Sequence, residues 1–154
     1  MIITTFFGPY RFLSNFFYTD NSIICDKGIL YPSVEHAYQA NKTFDVDERV
    51  VISHLPSASA AKRYSHTMRV REDWKNVRIE IMESLLQQKF SQPSFKRRLL
   101  DTGDAELIEG NTWHDTFWGV CDGKGSNNLG KLLMKIRDEH KRADFLDTLF
   151  GFGI

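Results

Sequence analysis

The chain has 154 residues, of which 42% are hydrophobic and 13% aromatic, including twelve Phe and three Trp; this suits one core-forming globular domain and excludes a disordered polypeptide. Lys plus Arg and Asp plus Glu both total 20, so the net charge is zero and no global basic field draws in a polyanion. Cys25 and Cys121 allow at most one disulfide, no CxxC or Cys/His pair stands at zinc spacing, and no run approaches the roughly 20 apolar residues of a membrane span.

These bounds predict a reduced, metal-free, cytoplasmic protein with no membrane segment, folded as one domain over residues 1–154. The start, MIITTFFGPYRF, lacks the basic region and uninterrupted apolar stretch of a secretion signal. The aromatic-rich stretch Phe12 to Tyr18 favours a strand. Ser22 to Cys25 leads through Asp26, Lys27 and Gly28 into Ile29 to Tyr31, which predicts a hairpin.

Pro32 and Ser33 open the first predicted helix, with Ser33 as N-cap and an end near Phe44; a second helix begins near Ser57. The longest is expected from Asp73 to Pro93, because Trp74, Val77, Ile81 and Leu85, then Met82, Leu86 and Phe90, recur at helical spacing. Ser94 to Asp101 is a short helix stopped at Thr102-Gly103. Ala105 to Cys121 reads as short strands or loop, and a last helix runs from Asn127 or Asn128 to His140. The apolar end, FLDTLFGFGI, is expected to dock on the domain, with a dimer contact as the alternative. The fold class is α+β: one compact helix-rich domain with a small N-terminal β-hairpin or sheet.

Three segments contain residues suited to chemistry. In SVEHAYQANK, Glu35, Tyr38, Gln39 and Lys42 stand at i, i+3, i+4 and i+7 and share a helical face; periodicity alone favours a solvated face, but Glu35 lies in the first turn, where the helix dipole favours its carboxylate. In NTWHDTFWG, Asp115 stands among Trp113, Phe117 and Trp118, and either caps a turn or lines a site for a flat ring. In GKGSNNLG, Gly123 to Gly130, a glycine-containing turn feeds a helix start able to hold an anion, without the spacing of a P-loop. Trp74 reads as core on pattern. His36, His54, His66, His114 and His140 show no ligand spacing, so no metal or other cofactor is expected.

In order, FFGPYRFLSNFF, YPSVEHAYQANK, DWKNVRIEIMESLLQQKF, LLDTG, DTFWG and GSNNLGKLLMKIR resemble the NADAR family, which includes the YbiA-like N-glycosidases. The resemblance spans roughly Phe6 to Arg137 and implies a helix-rich α+β domain. It also implies hydrolysis of the ribose C1–N bond of ribosylaminopyrimidine phosphates, intermediates of riboflavin synthesis. Other family members are associated with ADP-ribose, including its removal from guanine in nucleic acid. Carried over by position, Glu35, Trp74 and Asp115 are implied to be catalytic.

Two carboxyl groups of different protonation suit a reaction that builds positive charge on the ribose carbon and negative charge on the departing nitrogen. Glu35, as acid or base, is expected at the leaving group and Asp115 near the ribose, the sequence not specifying which is acid and which base, with Trp74 and Trp118 stacking on the base. Asn15 and Lys42, with Gly119, Gly125 and Asn127 of the later loops, are the expected substrate-binding residues. Lys42 has a second reading, as an amine forming a Schiff base with the sugar carbon. The partner is a small nucleotide-like molecule; nucleic acid enters only as an ADP-ribosylated substrate, for which Lys62, Arg63, Arg69 and Arg71, or Lys96, Arg97 and Arg98, offer basic strips. A module that binds ADP-ribose or a nucleotide without turnover is the rival from another class. The oligomeric state is not specified by the sequence.

Overall fold

The computed structural model describes residues 1–24 and 27–151. In chain order the elements are β1 (Ile2–Ile3), a 3-10 helix (Gly8–Leu13), β2 (Tyr18–Ile24), β3 (Leu30–Ser33), α1 (Val34–Ala40), α2 (Val46–Ser53), α3 (Ala58–Ser65), α4 (Trp74–Ser91), α5 (Pro93–Leu100), β4 (Glu106–Leu107) and α6 (Asn128–Phe150). The expected helix-rich α+β class is what these elements form. They belong to two compact units, one of Ser14–Gln92 and one of Met1–Leu13 with Pro93–Ile154.

In the unit Ser14–Gln92, β2 and β3 pair antiparallel, with Ile23 opposite Tyr31 and Ile24 opposite Leu30, as the hairpin reading expects. Of its turn, Cys25 and Asp26 lie outside the described residues, and Gly28 takes the left-handed backbone (φ 73°) that a glycine tolerates. The strand expected from Phe12 is not formed. Gly8 (φ 56°) and Pro9 open a 3-10 helix instead, which buries Phe12 and Leu13, and β2 starts only at Tyr18.

The helix α1 is the centre of this unit, packing on β3, α2, α3 and α4. Ser33 caps it as expected: its Oγ accepts the His36 amide at 3.2 Å. The helix stops four residues before Phe44, because Asn41 Nδ2 donates to Ala37 O at 2.7 Å while the Lys42 and Thr43 amides turn back to Gln39 O and Ala40 O. Sequence periodicity misses α2. Three of its valines, Val46, Val50 and Val51, are exposed, so no apolar stripe marks it, although Asp45 caps it by accepting the Asp47 and Glu48 amides. Ser57 caps α3 as expected.

The helix α4 runs from Trp74 to Ser91 and buries Met82, Leu85, Leu86 and Phe90. Lys89, also fully buried, sends Nζ to Ser14 O at 2.9 Å, which satisfies an ammonium that burial would otherwise penalise.

In the other unit, β1 and β4 pair in parallel, Ile2 with Glu106 and Ile3 with Leu107. Both α5 and β4 pack on α6. The stop after α5 falls at Gly103 (φ 62°) as expected, and Arg137 and Lys141 of α6 secure it by donating to Thr102 Oγ1 and Gly103 O. The longest helix is α6, with 23 residues, rather than α4 with 18. It continues ten residues past His140, and in that extension Phe145, Leu146, Leu149 and Phe150 are exposed, so the described part of the apolar end does not dock; residues 152–154 lie outside the description. Among the described residues no helix is long and apolar enough to cross a membrane.

Candidate active site

The face of α1 that periodicity favours as solvated is buried. Because α1 is surrounded within its unit, Glu35 is 6% exposed, Tyr38 6% and Gln39 3%. Gln39 Nε2 donates to Glu35 Oε1 at 2.6 Å, and the Glu35 amide donates to Asn15 O at 3.0 Å. A buried carboxyl group positioned by a neutral amide is suited to proton transfer.

Beyond the end of α1, Lys42 carries its Nζ over two rings, 5.6 Å from the Tyr38 centroid and 5.9 Å from that of Trp74. The rings themselves meet at 5.0 Å with a 56° tilt. Burial pulls the Lys42 pKa below its ordinary value; the Glu35 charge opposes this, while Lys62 and Arg78 add to it. The result is an amine poised to exist neutral more often than a surface lysine.

Trp74 begins α4, where its amide closes a turn onto Arg71 O at 3.2 Å. Asp73 precedes it but makes no side-chain cap, since its carboxylate is bound two-pronged by Arg71 at 2.6 and 2.7 Å. At 8% exposure the indole offers little ring face for stacking, so its visible work is to hold Tyr38 and Lys42. The expected stacking platform is therefore better described as a wall.

Asn15 joins the cluster through its backbone and its side chain, with Nδ2 on Met82 Sδ at 3.6 Å. Its Oδ1, like Gln39 Oε1, is a buried acceptor without a hydrogen-bond partner. Two such acceptors beside one buried glutamate are costly to the fold and suited to receive hydroxyl or amino donors of a ligand.

His36, within the same helix, is structural, as expected for a hydrogen-bonded histidine. Its Nε2 donates to Leu55 O at 3.1 Å, so Nδ1 is left to accept from Ser33 Oγ at 2.7 Å, and burial lowers its pKa. A cleft of about 670 Å³ in this unit includes Arg69 and Arg71 but also Asp45, Glu48, Glu72 and Asp73, with Arg71 committed to Asp73. That balance makes it a poor phosphate site.

The other unit holds Asp115, Trp118, Gly119, Gly125 and Asn127. Asp115 Oδ1 accepts the amides of Phe117 (3.1 Å) and Trp118 (2.9 Å), so the turn-capping alternative describes its contacts, and Asn111 clamps the same turn through Asp115 N and O. Trp118 packs edge-on against Phe117 at 4.9 Å.

Gly119 and Gly125 are needed for close approach: a Cβ on Gly125, whose φ is 147°, would collide with Gly119 O, and one on Gly119 with Glu109 O. Asn127 spends its side chain on Glu109 N and Leu107 O. The amides of Ser126, Asn127, Asn128 and Leu129 donate to carbonyls of Thr116, Gly119, Phe117 and Trp118. The helix start expected to hold an anion instead uses these donors to secure its own loop.

Of the nine residues singled out from the sequence, the fold thus brings Asn15, Glu35, Lys42 and Trp74 into one cluster and sets the other five in loop packing. Tyr38 and Gln39 belong to the cluster as well. Their signal was present in the spacing from Glu35, but burial alone distinguishes a working face from a solvated one.

The NADAR domain model matches residues 5–141. A riboflavin biosynthesis protein of Vibrio vulnificus is 38% identical over 134 residues, covering 84% of this chain and 35% of that protein. The N-glycosidase YbiA of Escherichia coli strain K12 is 36% identical over 116 residues, covering 73% of this chain and 72% of the relative. The solved NMR structure of E. coli YbiA superposes with a TM-score of 0.80 at 32% identity, covering 94% of this chain and 89% of that one. The chain thus spans about a third of the Vibrio protein but most of YbiA.

Proposed function

Because the chain belongs to the NADAR family, we propose that it is an N-glycosidase, hydrolysing the ribose C1–N bond of ribosylaminopyrimidine phosphates. The name of the E. coli relative supports the bond class, and the name of the Vibrio relative supports a substrate from riboflavin biosynthesis. The family match runs through the sequence of both compact units, which supports residues 1–154 as one working domain. A free Cys121 thiol fits a reducing, cytoplasmic setting.

The observation that carries the reading is the buried Glu35, held by the Gln39 amide, in a cluster where Asn15 Oδ1 and Gln39 Oε1 are buried acceptors without a partner. In the proposed reaction the C1–N bond breaks with its electron pair going to nitrogen, and water supplies the new C1 oxygen. Glu35 moves the proton to the departing nitrogen; Asn15 and Gln39 accept hydrogen bonds from the substrate. Trp74 and Tyr38 wall the site. Asp115 is the proposed second carboxylate, its Oδ1 fixed by two amides, with Trp118 beside it on the same turn. Gly119, Gly125 and Asn127 act by shaping their loop.

The lowered pKa of Lys42 favours a second route to the same products. A ribosylamine opens to an imine, neutral Lys42 Nζ attacks C1, the aminopyrimidine leaves, and water then hydrolyses the lysine Schiff base. Borohydride during turnover would fix a ribosyl adduct on Lys42 by this route and none by direct hydrolysis.

Mass spectrometry of products separates the substrate classes. Free aminopyrimidine with ribose 5-phosphate is the expected result. Release of ADP-ribose from a modified guanine oligonucleotide alone would replace that substrate with the ADP-ribosyl one, although the basic strips are partly neutralised, Arg71 by Asp73 and Lys96 by Asp144. Binding of ADP-ribose without product from either substrate would leave a binding module.

A further inference from the structure

In the unit formed by Met1–Leu13 and Pro93–Ile154, the fold brings His114 back to the adjacent pair Cys121 and Asp122. Cys121 Sγ lies 3.8 Å from His114 Nδ1 and 3.8 Å from Asp122 Oδ2, and the ligand atoms of all three residues lie within 4.8 Å of one another. The loop geometry explains the meeting. Val120 bridges to Gly110, Cys121 and Lys124 exchange backbone hydrogen bonds at 2.9 and 3.0 Å, and the Asn111 clamp on Asp115 folds His114 back.

Two of the three residues, His114 (φ 63°) and Asp122 (φ 51°), hold left-handed backbone that costs a non-glycine residue free energy. Cys121 is buried, whereas His114 and Asp122 are exposed and free to adjust their side chains.

We propose that His114, Cys121 and Asp122 form a binding site for a thiophilic divalent cation of the zinc class, with a fourth position open to solvent. Tetrahedral zinc, with bonds of about 2.3 Å to sulfur and about 2.0–2.1 Å to nitrogen or oxygen, sets sulfur–nitrogen and sulfur–oxygen edges of roughly 3.6 Å. Two of the observed separations therefore need only a few tenths of an ångström of closure. A thiolate with an imidazole selects zinc over magnesium or calcium, which prefer all-oxygen shells. Binding exchanges the Cys121 thiol proton for the metal and releases that proton to solvent.

The site is independent of the glycosidase reading, and its test needs no substrate. The reduced full chain is titrated with Co²⁺ while the thiolate-to-cobalt absorption band is followed, and Zn²⁺ is then added. The expected result is a band that saturates at one equivalent and is displaced by zinc. Cys121→Ala should abolish it, and Cys25→Ser should leave it unchanged. His114→Asn and Asp122→Asn, which tolerate the left-handed backbone, should each weaken affinity at least about 100-fold. Zinc should also raise the unfolding midpoint of the unsubstituted chain. Absence of the band in that chain, its survival in Cys121→Ala, or its loss in Cys25→Ser would overturn the proposal and leave a hydrogen-bonded thiol.

Discussion

Gln39 donates its side-chain amide to Glu35 across 2.6 Å, one helical turn away, while its own Oε1 is buried without a partner. The pair fixes a carboxylate inside the unit and leaves an acceptor beside it. Gln39→Ala removes the hydrogen bond that positions Glu35 and is expected to lower kcat/KM about 10- to 100-fold. Steady-state kinetics with the aminopyrimidine nucleotide check this, and an unchanged value would detach Gln39 from the reaction.

Lys42 is expected to cost stability and serve turnover. Its pKa is lowered in the fold, so the unfolded chain binds more protons and stability rises with pH between the lowered value and the ordinary one of about 10.4. Lys42→Met removes a buried charge; its thermal midpoint at neutral pH should equal or exceed that of the unsubstituted chain, while turnover falls. A lower midpoint with turnover intact would make Lys42 a packing residue.

His36 gives the fold an acid limit. Its pKa is also lowered by burial, so the native state resists protonation, and stability should be level above about pH 6.5 and fall as pH drops below it. Protonation puts a hydrogen on Nδ1, where Ser33 Oγ now donates. Urea midpoints measured across this range should slope for the unsubstituted chain and flatten in His36→Gln.

Asp115 has two separable jobs. As a turn cap it accepts two amides, which an asparagine oxygen also does, so Asp115→Asn should fold with nearly unchanged stability, whereas Asp115→Ala should lose about 0.5–2 kcal/mol. As the proposed second carboxylate it needs its charge, so Asp115→Asn should still lose turnover at least about 100-fold. Denaturant titration and kinetics on the same samples distinguish the two; full turnover in Asp115→Asn would leave the cap alone.

The sequence made legible what depends on local chemistry. Ser33, Ser57 and Gly103 marked helix ends because caps and left-handed stops need those residue types, and Met82, Leu86 and Phe90 marked the buried side of α4. What depends on packing was hidden. Nothing local says that Glu35, Tyr38 and Gln39 are enclosed, that α6 runs on with Phe145 and Leu149 exposed, or that His114 meets Cys121. The helix start at Asn127 misled for the same reason: its donors were visible, but the carbonyls of Thr116 to Gly119 that take them were brought there by the fold.

Glu35→Gln tests the central claim most directly, since it keeps the shape and an acceptor for Gln39 while removing the transferable proton. Its kcat should fall about 10²- to 10⁴-fold on the ribosylaminopyrimidine phosphate, with substrate affinity and unfolding midpoint nearly unchanged. A variant that turns over at the unsubstituted rate would contradict the account and move the chemistry away from the α1 cluster.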